Sequence, residues 1–204
     1  MKTDIYTLAH EMKNPLSVVK GYLEMLNSKN VSKYKSIMQE EIDTSLNILN
    51  QYLEYNKVTL NKEIFDLNIF LLEIKRSMKD YLKKENVSLI VNMIDDEIYV
   101  EADYAKLKQV IYNVIKNSVE SLSRKINVSY QVLFNQLKIV INNDGNKIVD
   151  SDIKKIGNNF SNKVLGNGIG TTLSKKIIRL HGGKIKYINN EKKGVSVIIT
   201  LPLS

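Results

Sequence analysis

The sequence predicts an α+β chain: an N-terminal helical hairpin built to pair into a four-helix bundle, followed by helices lying on one face of a mixed sheet. Three observations carry this. Apolar residues recur at three- and four-residue steps in two runs, Ile5 to Leu26 and Met38 to Leu53, the spacing of helices packed in a bundle. From Val87 onward short strand-like runs are interleaved with helical stretches, the pattern of helices packed on a sheet. Of the nine glycines only Gly21 precedes Gly145, so backbone freedom is concentrated in the C-terminal third.

The first helical seam runs through Ile5, Leu8, Met12, Val19, Tyr22 and Leu26, with Pro15 in its one missing slot. Asn27-Ser28-Lys29-Asn30 ends it, and a second seam through Met38, Ile42, Leu46, Leu49 and Leu53 reaches about Asn56. Two helices of this length cannot enclose a core between themselves, so the hairpin is expected to pair with its own copy, making a homodimer. Residues near Thr59 to Asp66 lose the pattern and read as a linker. They divide the chain into a hairpin domain, residues 1–60, and a second domain, residues 61–204. In the second, the expected order is a helix (Leu67 to Lys84), a strand (Val87 to Ile94), a helix (Tyr104 to Leu122) and two strands (Asn127 to Leu133, Gln136 to Asn142). A Gly/Asn-rich loop region, a helix (Thr171 to Leu180) and two final strands (Gly183 to Asn189, Val195 to Pro202) complete it.

With 204 residues, 43% of them hydrophobic, the chain can bury a real core. No apolar run approaches the roughly 18 residues of a membrane span, and Met1 to Pro15 lacks the order of a signal peptide. A cytoplasmic protein without a membrane span is expected. The absence of cysteine excludes disulfides, thiolate nucleophiles and cysteine-held metals, and two histidines disfavour an all-histidine metal site. The net charge of +8 would suit nucleic acid, an acidic protein or a polyphosphate. The lysines are scattered among asparagine and isoleucine, with no basic helix interleaved with aromatics, so no nucleic-acid partner is expected.

Three constellations could carry chemistry. In His10-Glu11-Met12-Lys13-Asn14-Pro15, His10 and Asn14 share a helix face, Glu11 stands beside the imidazole, and Pro15 removes a helical hydrogen bond just beyond. A lone helical histidine is more often structural, but a neutral imidazole is a competent phosphoryl acceptor. Asn113 and Asn117 are one turn apart among Val110, Ile111, Val114, Ile115 and Val119. Such carboxamides border a buried face, where polar groups need partners, and their oxygens suit a hard cation such as Mg²⁺. Gly166-Asn167-Gly168-Ile169-Gly170 runs into the helix from Thr171, where free N–H groups and the helix dipole favour phosphate, with Lys163 and Lys175 near in sequence. It follows a loop rather than a strand and lacks Gly-Lys-Ser/Thr, so it is neither a dinucleotide fingerprint nor a Walker loop.

In this order the motifs resemble those of the bacterial two-component sensor histidine kinases, nearest to the His-Glu-x-x-Asn-Pro type of the sporulation kinases, over nearly the whole chain. His10 to Leu16 is similar to the H box and Asn113 to Glu120 to the N box. Asn143-Asp144-Gly145 resembles the first glycine box, Phe160 to Lys163 the F box and ATP lid, and Gly166 to Gly170 the second glycine box; Leu180-His181-Gly182-Gly183 also fits. The resemblance implies a dimerisation and phosphotransfer hairpin joined to a Bergerat-type (GHKL) α/β sandwich that binds ATP and Mg²⁺. It implies a kinase that moves the γ-phosphoryl of ATP to His10 and on to an aspartate of a response-regulator receiver. Glu11 would assist deprotonation and Asn14 would serve the reverse direction. Asn117 would hold Mg²⁺ with Asn113 beside it. Asn143, Asp144, Gly145, Lys163, Gly166, Gly168, Gly170 and Thr171 would complete the ATP site.

There are two departures. Where the family places an Asp that accepts the adenine amino hydrogen, and a second Gly, this chain has Asn143 and Lys147, with Asp144 the alternative acceptor. Only nine residues precede His10, so no sensor domain is expected. The competing expectation is a dimeric histidine phosphotransferase whose ATP domain has decayed; a protein that binds ATP only to set a conformation is a third.

Overall fold

The computed structural model describes residues 2–153, 156 and 169–203. Helices α1 (Lys2–Glu24) and α2 (Val31–Lys57) form the hairpin. Asn30 ties its turn, its carboxamide oxygen accepting from Asn27 N–H and its amide donating to Met25 O. Leu8 and Ile48 are buried between the helices, with Met12, Leu49, Tyr52 and Tyr55 packed on them. The expected second seam is divided: Leu49 packs on this cluster, while Ile42, Leu46 and Leu53 stand in solvent, and Ser45 and Ile48 are the buried ones among the described residues of α2. The row that faces α1 therefore overlaps only in part the apolar row that the period picks out.

Next come β1 (Glu63–Asp66), α3 (Leu67–Ser77), α4 (Lys79–Lys84), β2 (Ser88–Val91), β3 (Tyr99–Ala102) and α5 (Tyr104–Glu120). Then follow β4 (Lys125–Leu133), β5 (Gln136–Asn143), α6 (Asp150–Ile153), α7 (Ile169–Leu180), β6 (Lys184–Asn189) and β7 (Val195–Pro202). The expected linker is thus partly a strand, because β1 pairs antiparallel with β3, itself unforeseen, in register Glu63↔Ala102 to Asp66↔Tyr99. The helix expected over Leu67 to Lys84 divides at Met78, whose N–H is shared between Ile74 O and Arg76 O. Helix α6 lies where only loop was expected.

The main sheet has strand order β2-β4-β5-β7-β6, with β2 parallel to β4 and the other pairs antiparallel. Phe134 and Asn135, both at positive φ, make the two-residue turn between β4 and β5. Alternation gives the sheet one apolar face: Ile126, Val128 and Tyr130 on β4, Leu137, Ile139 and Ile141 on β5, and Val195, Val197, Ile199 and Leu201 on β7 are buried. Onto it pack Phe70 and Ile74 of α3, Leu107, Ile111 and Ile115 of α5, and Leu173, Ile177 and Ile178 of α7. Asn143 holds the next inward position at the end of β5, so a polar side chain continues an apolar row toward α5.

The hairpin is joined to this layer at the C-terminal end of α2. Glu54 pairs with Lys106 and accepts from Gln109 Nε2 at 2.8 Å. Lys176 donates to Tyr55 O, with Nζ 4.3 Å from the Tyr55 ring centre.

Candidate functional site

Helix α5 starts where Asp103 Oδ1 accepts the N–H of Lys106 at 2.9 Å, an N-cap bond. Its Oδ2 accepts from Asn61 N–H at 2.8 Å, and its own N–H donates to His181 Nε2 at 2.9 Å. The other ring nitrogen of His181 lies 2.8 Å from Ile177 O, so the Nδ1–H tautomer fits. His181 is buried and structural: it locks the start of α5 to the end of α7.

That lock places Asn113 and Asn117 against the first turns of α7. Asn113 Nδ2 donates to Ser174 Oγ at 3.0 Å, and Asn117 Nδ2 approaches Thr171 Oγ1 at 3.5 Å. Both carboxamides thus turn their N–H groups toward hydroxyls of α7. Gly170 lies close against this contact: a Cβ there would stand 2.4 Å from Asn113 Oδ1, so the carboxamide would have to turn. Beside this contact a groove of about 430 Å³ is lined by Lys108, Tyr112, Asn113, Lys116, Gly170 and Ser174, among others. The two lysines went unnoticed in the sequence, although their i, i+8 spacing sets them two turns apart on one side of α5. Carboxamide and hydroxyl oxygens beside lysines suit a polyphosphate and a hard cation. Among the described residues no group of three or more His, Asp or Glu could hold a metal alone. A Mg²⁺ here would be shared with substrate phosphates, and the oxygen donors fit that use.

The first glycine box lies at the other end of α5. Asn143 is buried, and its Oδ1 accepts from Gly145 N–H at 3.0 Å and Val195 N–H at 3.3 Å. Its Nδ2 donates to Ser118 Oγ at 3.2 Å. Asp144 Oδ1 faces the chain instead, accepting from Arg124 N–H at 2.8 Å and Lys125 N–H at 2.9 Å. Burial pushes the Asp144 carboxyl up, but the N–H groups of Lys125, Arg124 and Asp144 itself outweigh it and hold the group below the usual carboxylate value. Lys147 is exposed and donates to Glu191 O at 2.7 Å, so its length is spent on the β6–β7 turn. Gly194 of that turn has φ +84°, and a Cβ there would lie 1.8 Å from Asn143 O. Asn117, Ser118, Asn143 and Tyr187 line a narrow crevice between α5 and the sheet.

His10 and Asn14 are exposed one turn apart on α1, Glu11 is half-buried, and Pro15 is buried within the helix. Lys163, Gly166 and Gly168 lie outside the described residues.

Residues 102–204 match the model of the histidine kinase-, DNA gyrase B-, and HSP90-like ATPases, and residues 5–61 match the His Kinase A (phospho-acceptor) domain. The chain belongs to the histidine kinase family. It is 31% identical to sporulation kinase B of Bacillus subtilis (strain 168), over 96% of this chain and 48% of that protein. It is 26% identical to the sensor histidine kinase WalK of the same organism, over 97% of this chain and 36% of that one. The chain therefore spans about half or less of these curated relatives. Among solved structures, histidine kinase ThkA in complex with response regulator protein TrrA aligns with a TM-score of 0.83 and 27% identity, covering 96% of this chain and 60% of that one. The Acinetobacter baumannii histidine kinase AdeS, at 18% identity and a TM-score of 0.75, shares the fold. The expected helical hairpin and GHKL-type sandwich with a mixed sheet are thus the kinase fold. Among the described residues no helix is long and apolar enough to cross a membrane.

Proposed function

We propose that the chain is the phosphotransfer and ATP-binding core of a two-component histidine kinase, with His10 as the phosphoacceptor. The observation that carries this reading is the docking of Asn113 and Asn117 onto the first turns of α7 beside the groove with Lys108 and Lys116, in a chain that also presents an exposed His10. Asn117 would hold Mg²⁺ with Asn113 beside it, and the ion would neutralise charge on the β- and γ-phosphates. Glu11 would orient the His10 imidazole or hold its Nδ1 proton, leaving Nε2 to attack the γ-phosphorus. The new N–P bond forms as the bond from phosphorus to the β,γ-bridging oxygen breaks, and ADP leaves. The phosphoryl then passes to a carboxylate of a receiver domain, Asn14 serving the reverse, hydrolytic direction. Positioning and charge neutralisation supply the rate.

A second copy of the chain is the natural cover for the exposed apolar side chains of the hairpin, Ile42, Leu46 and Leu53 on α2 with Leu16 and Leu23 on α1. ThkA was solved with a response regulator, and a receiver is the acceptor proposed for this chain. Incubation with Mg²⁺ and γ-labelled ATP tests the reading: the chain should acquire an acid-labile, base-stable phosphate that a His10→Gln variant lacks. Labelling only from a phosphorylated receiver would instead indicate a phosphotransferase, and undiminished labelling of His10→Gln would move the site.

A further inference from the structure

Tyr187 of β6 stands opposite Val197 of β7, and its hydroxyl is buried without a hydrogen-bond partner among the described residues. Its side chain lines the crevice that Asn117, Ser118 and Asn143 border. The polar neighbours are already engaged. Asn143 Oδ1 takes two backbone N–H groups, Asn143 Nδ2 reaches Ser118 Oγ, and Ser118 Oγ donates to Val114 O at 2.9 Å. Asn117 Nδ2 is directed at Thr171. Native proteins leave few buried hydroxyls orphaned, because the lost hydration is not returned.

We propose that the Tyr187 hydroxyl is a base-recognising group of the nucleotide site, completed by the edge of the adenine ring directly or through one water. The inference rests on the ATP reading above. The adenine edge sets an amino donor beside a ring-nitrogen acceptor, and a phenol can answer either. Asn143, which occupies the family's carboxylate position, has its oxygen committed to Gly145 and Val195, so the hydroxyl supplies the hydrogen-bonding capacity that the carboxamide has spent. The crevice has room for about 10 Å³, on the scale of a single water, so the base presents its edge rather than entering whole. Burial pushes the Tyr187 hydroxyl up, so it keeps its proton and remains a donor at neutral pH.

Calorimetric titration of the full chain with Mg-ATP and, separately, with inorganic tripolyphosphate tests this in wild type and Tyr187→Phe. The variant should bind ATP about five- to tenfold more weakly, the scale of one hydrogen bond. It should bind tripolyphosphate as the wild type does, and unfold without nucleotide at the same or a higher temperature, since an orphaned oxygen has gone. Equal ATP affinity in the two proteins overturns the proposal and leaves the ATP reading standing. Equal weakening toward tripolyphosphate, or a lowered unfolding temperature, also overturns it by assigning the hydroxyl a structural role. A wild-type chain that binds no ATP at millimolar concentration overturns both.

Discussion

Replacing Asn143 with alanine removes three hydrogen bonds at once and separates the structural from the ligand-binding use of the first glycine box. The N–H groups of Gly145 and Val195 lose their acceptor, and Ser118 Oγ loses a donor. Gly145, Val195 and Ser118 are all buried. A buried donor left unpaired costs about 1–3 kcal/mol, so two orphaned N–H groups amount to about 2–6 kcal/mol. Water entering the space vacated by the side chain recovers part of this, and the expected net loss is about 2–4 kcal/mol. Equilibrium urea unfolding measures it, with the slope unchanged so that the midpoint shift reports stability. Asn143→Asp is the control. Its carboxylate still accepts from both N–H groups, now in charge-assisted bonds roughly twice as strong as neutral ones, which offsets desolvation and the lost donation to Ser118. It should lose less than the alanine variant. A loss below about 1 kcal/mol for Asn143→Ala, or a larger loss for Asn143→Asp than for Asn143→Ala, would refute the assignment of Asn143 as the clasp between β5 and β7.

Asn117→Ala should weaken Mg-ATP binding at least tenfold by calorimetry while costing no more than about 1–2 kcal/mol in urea unfolding, because its contact to Thr171 is long. Paired Ile42→Glu and Leu46→Glu substitutions place charges on the exposed row of α2 and should yield a folded monomer by sedimentation; an intact dimer would put the interface elsewhere. Gly194→Ala combines positive φ with a clash against Asn143 O and should lower stability by roughly 2–4 kcal/mol, again by urea midpoint. The Asp144 carboxyl is held below its unfolded value, so its contribution is present above about pH 4 and is lost as pH falls through the depressed folded value. The stability gap between wild type and Asp144→Asn should therefore shrink on acidification, and a gap that grows would contradict the N–H contacts seen here.

Periodicity and residue type alone determined much of this protein. The seams from Ile5 to Leu26 and from Met38 to Leu53 implied the hairpin, alternation implied β4, β5 and β7, and the resemblance of the ordered motifs to those of sensor histidine kinases implied the family. These signals are local: a helix face or a strand face is written in residues two to four apart. Four-residue β1 and β3 escaped because neither is long enough to show a period, and each is defined by a partner more than thirty residues away. How that row is shared between neighbours escaped for a related reason, since a seam shows that a helix has an apolar row but not which of its residues meet the other helix and which, like Ile42 and Leu46, are left for a second copy. Asn143 shows the same limit inside the site. Its type and position suggested an adenine acceptor, yet whether its oxygen is free depends on how close β7 comes, and Gly194 lets that strand approach to contact. Tyr187 falls within the strand expected over Gly183 to Asn189, where nothing in the sequence marks it. Only the packing of β6 against β7 and α7 shows a hydroxyl without a partner among the described residues, because hydrogen-bond satisfaction belongs to three-dimensional neighbours rather than to the order of residues along the chain.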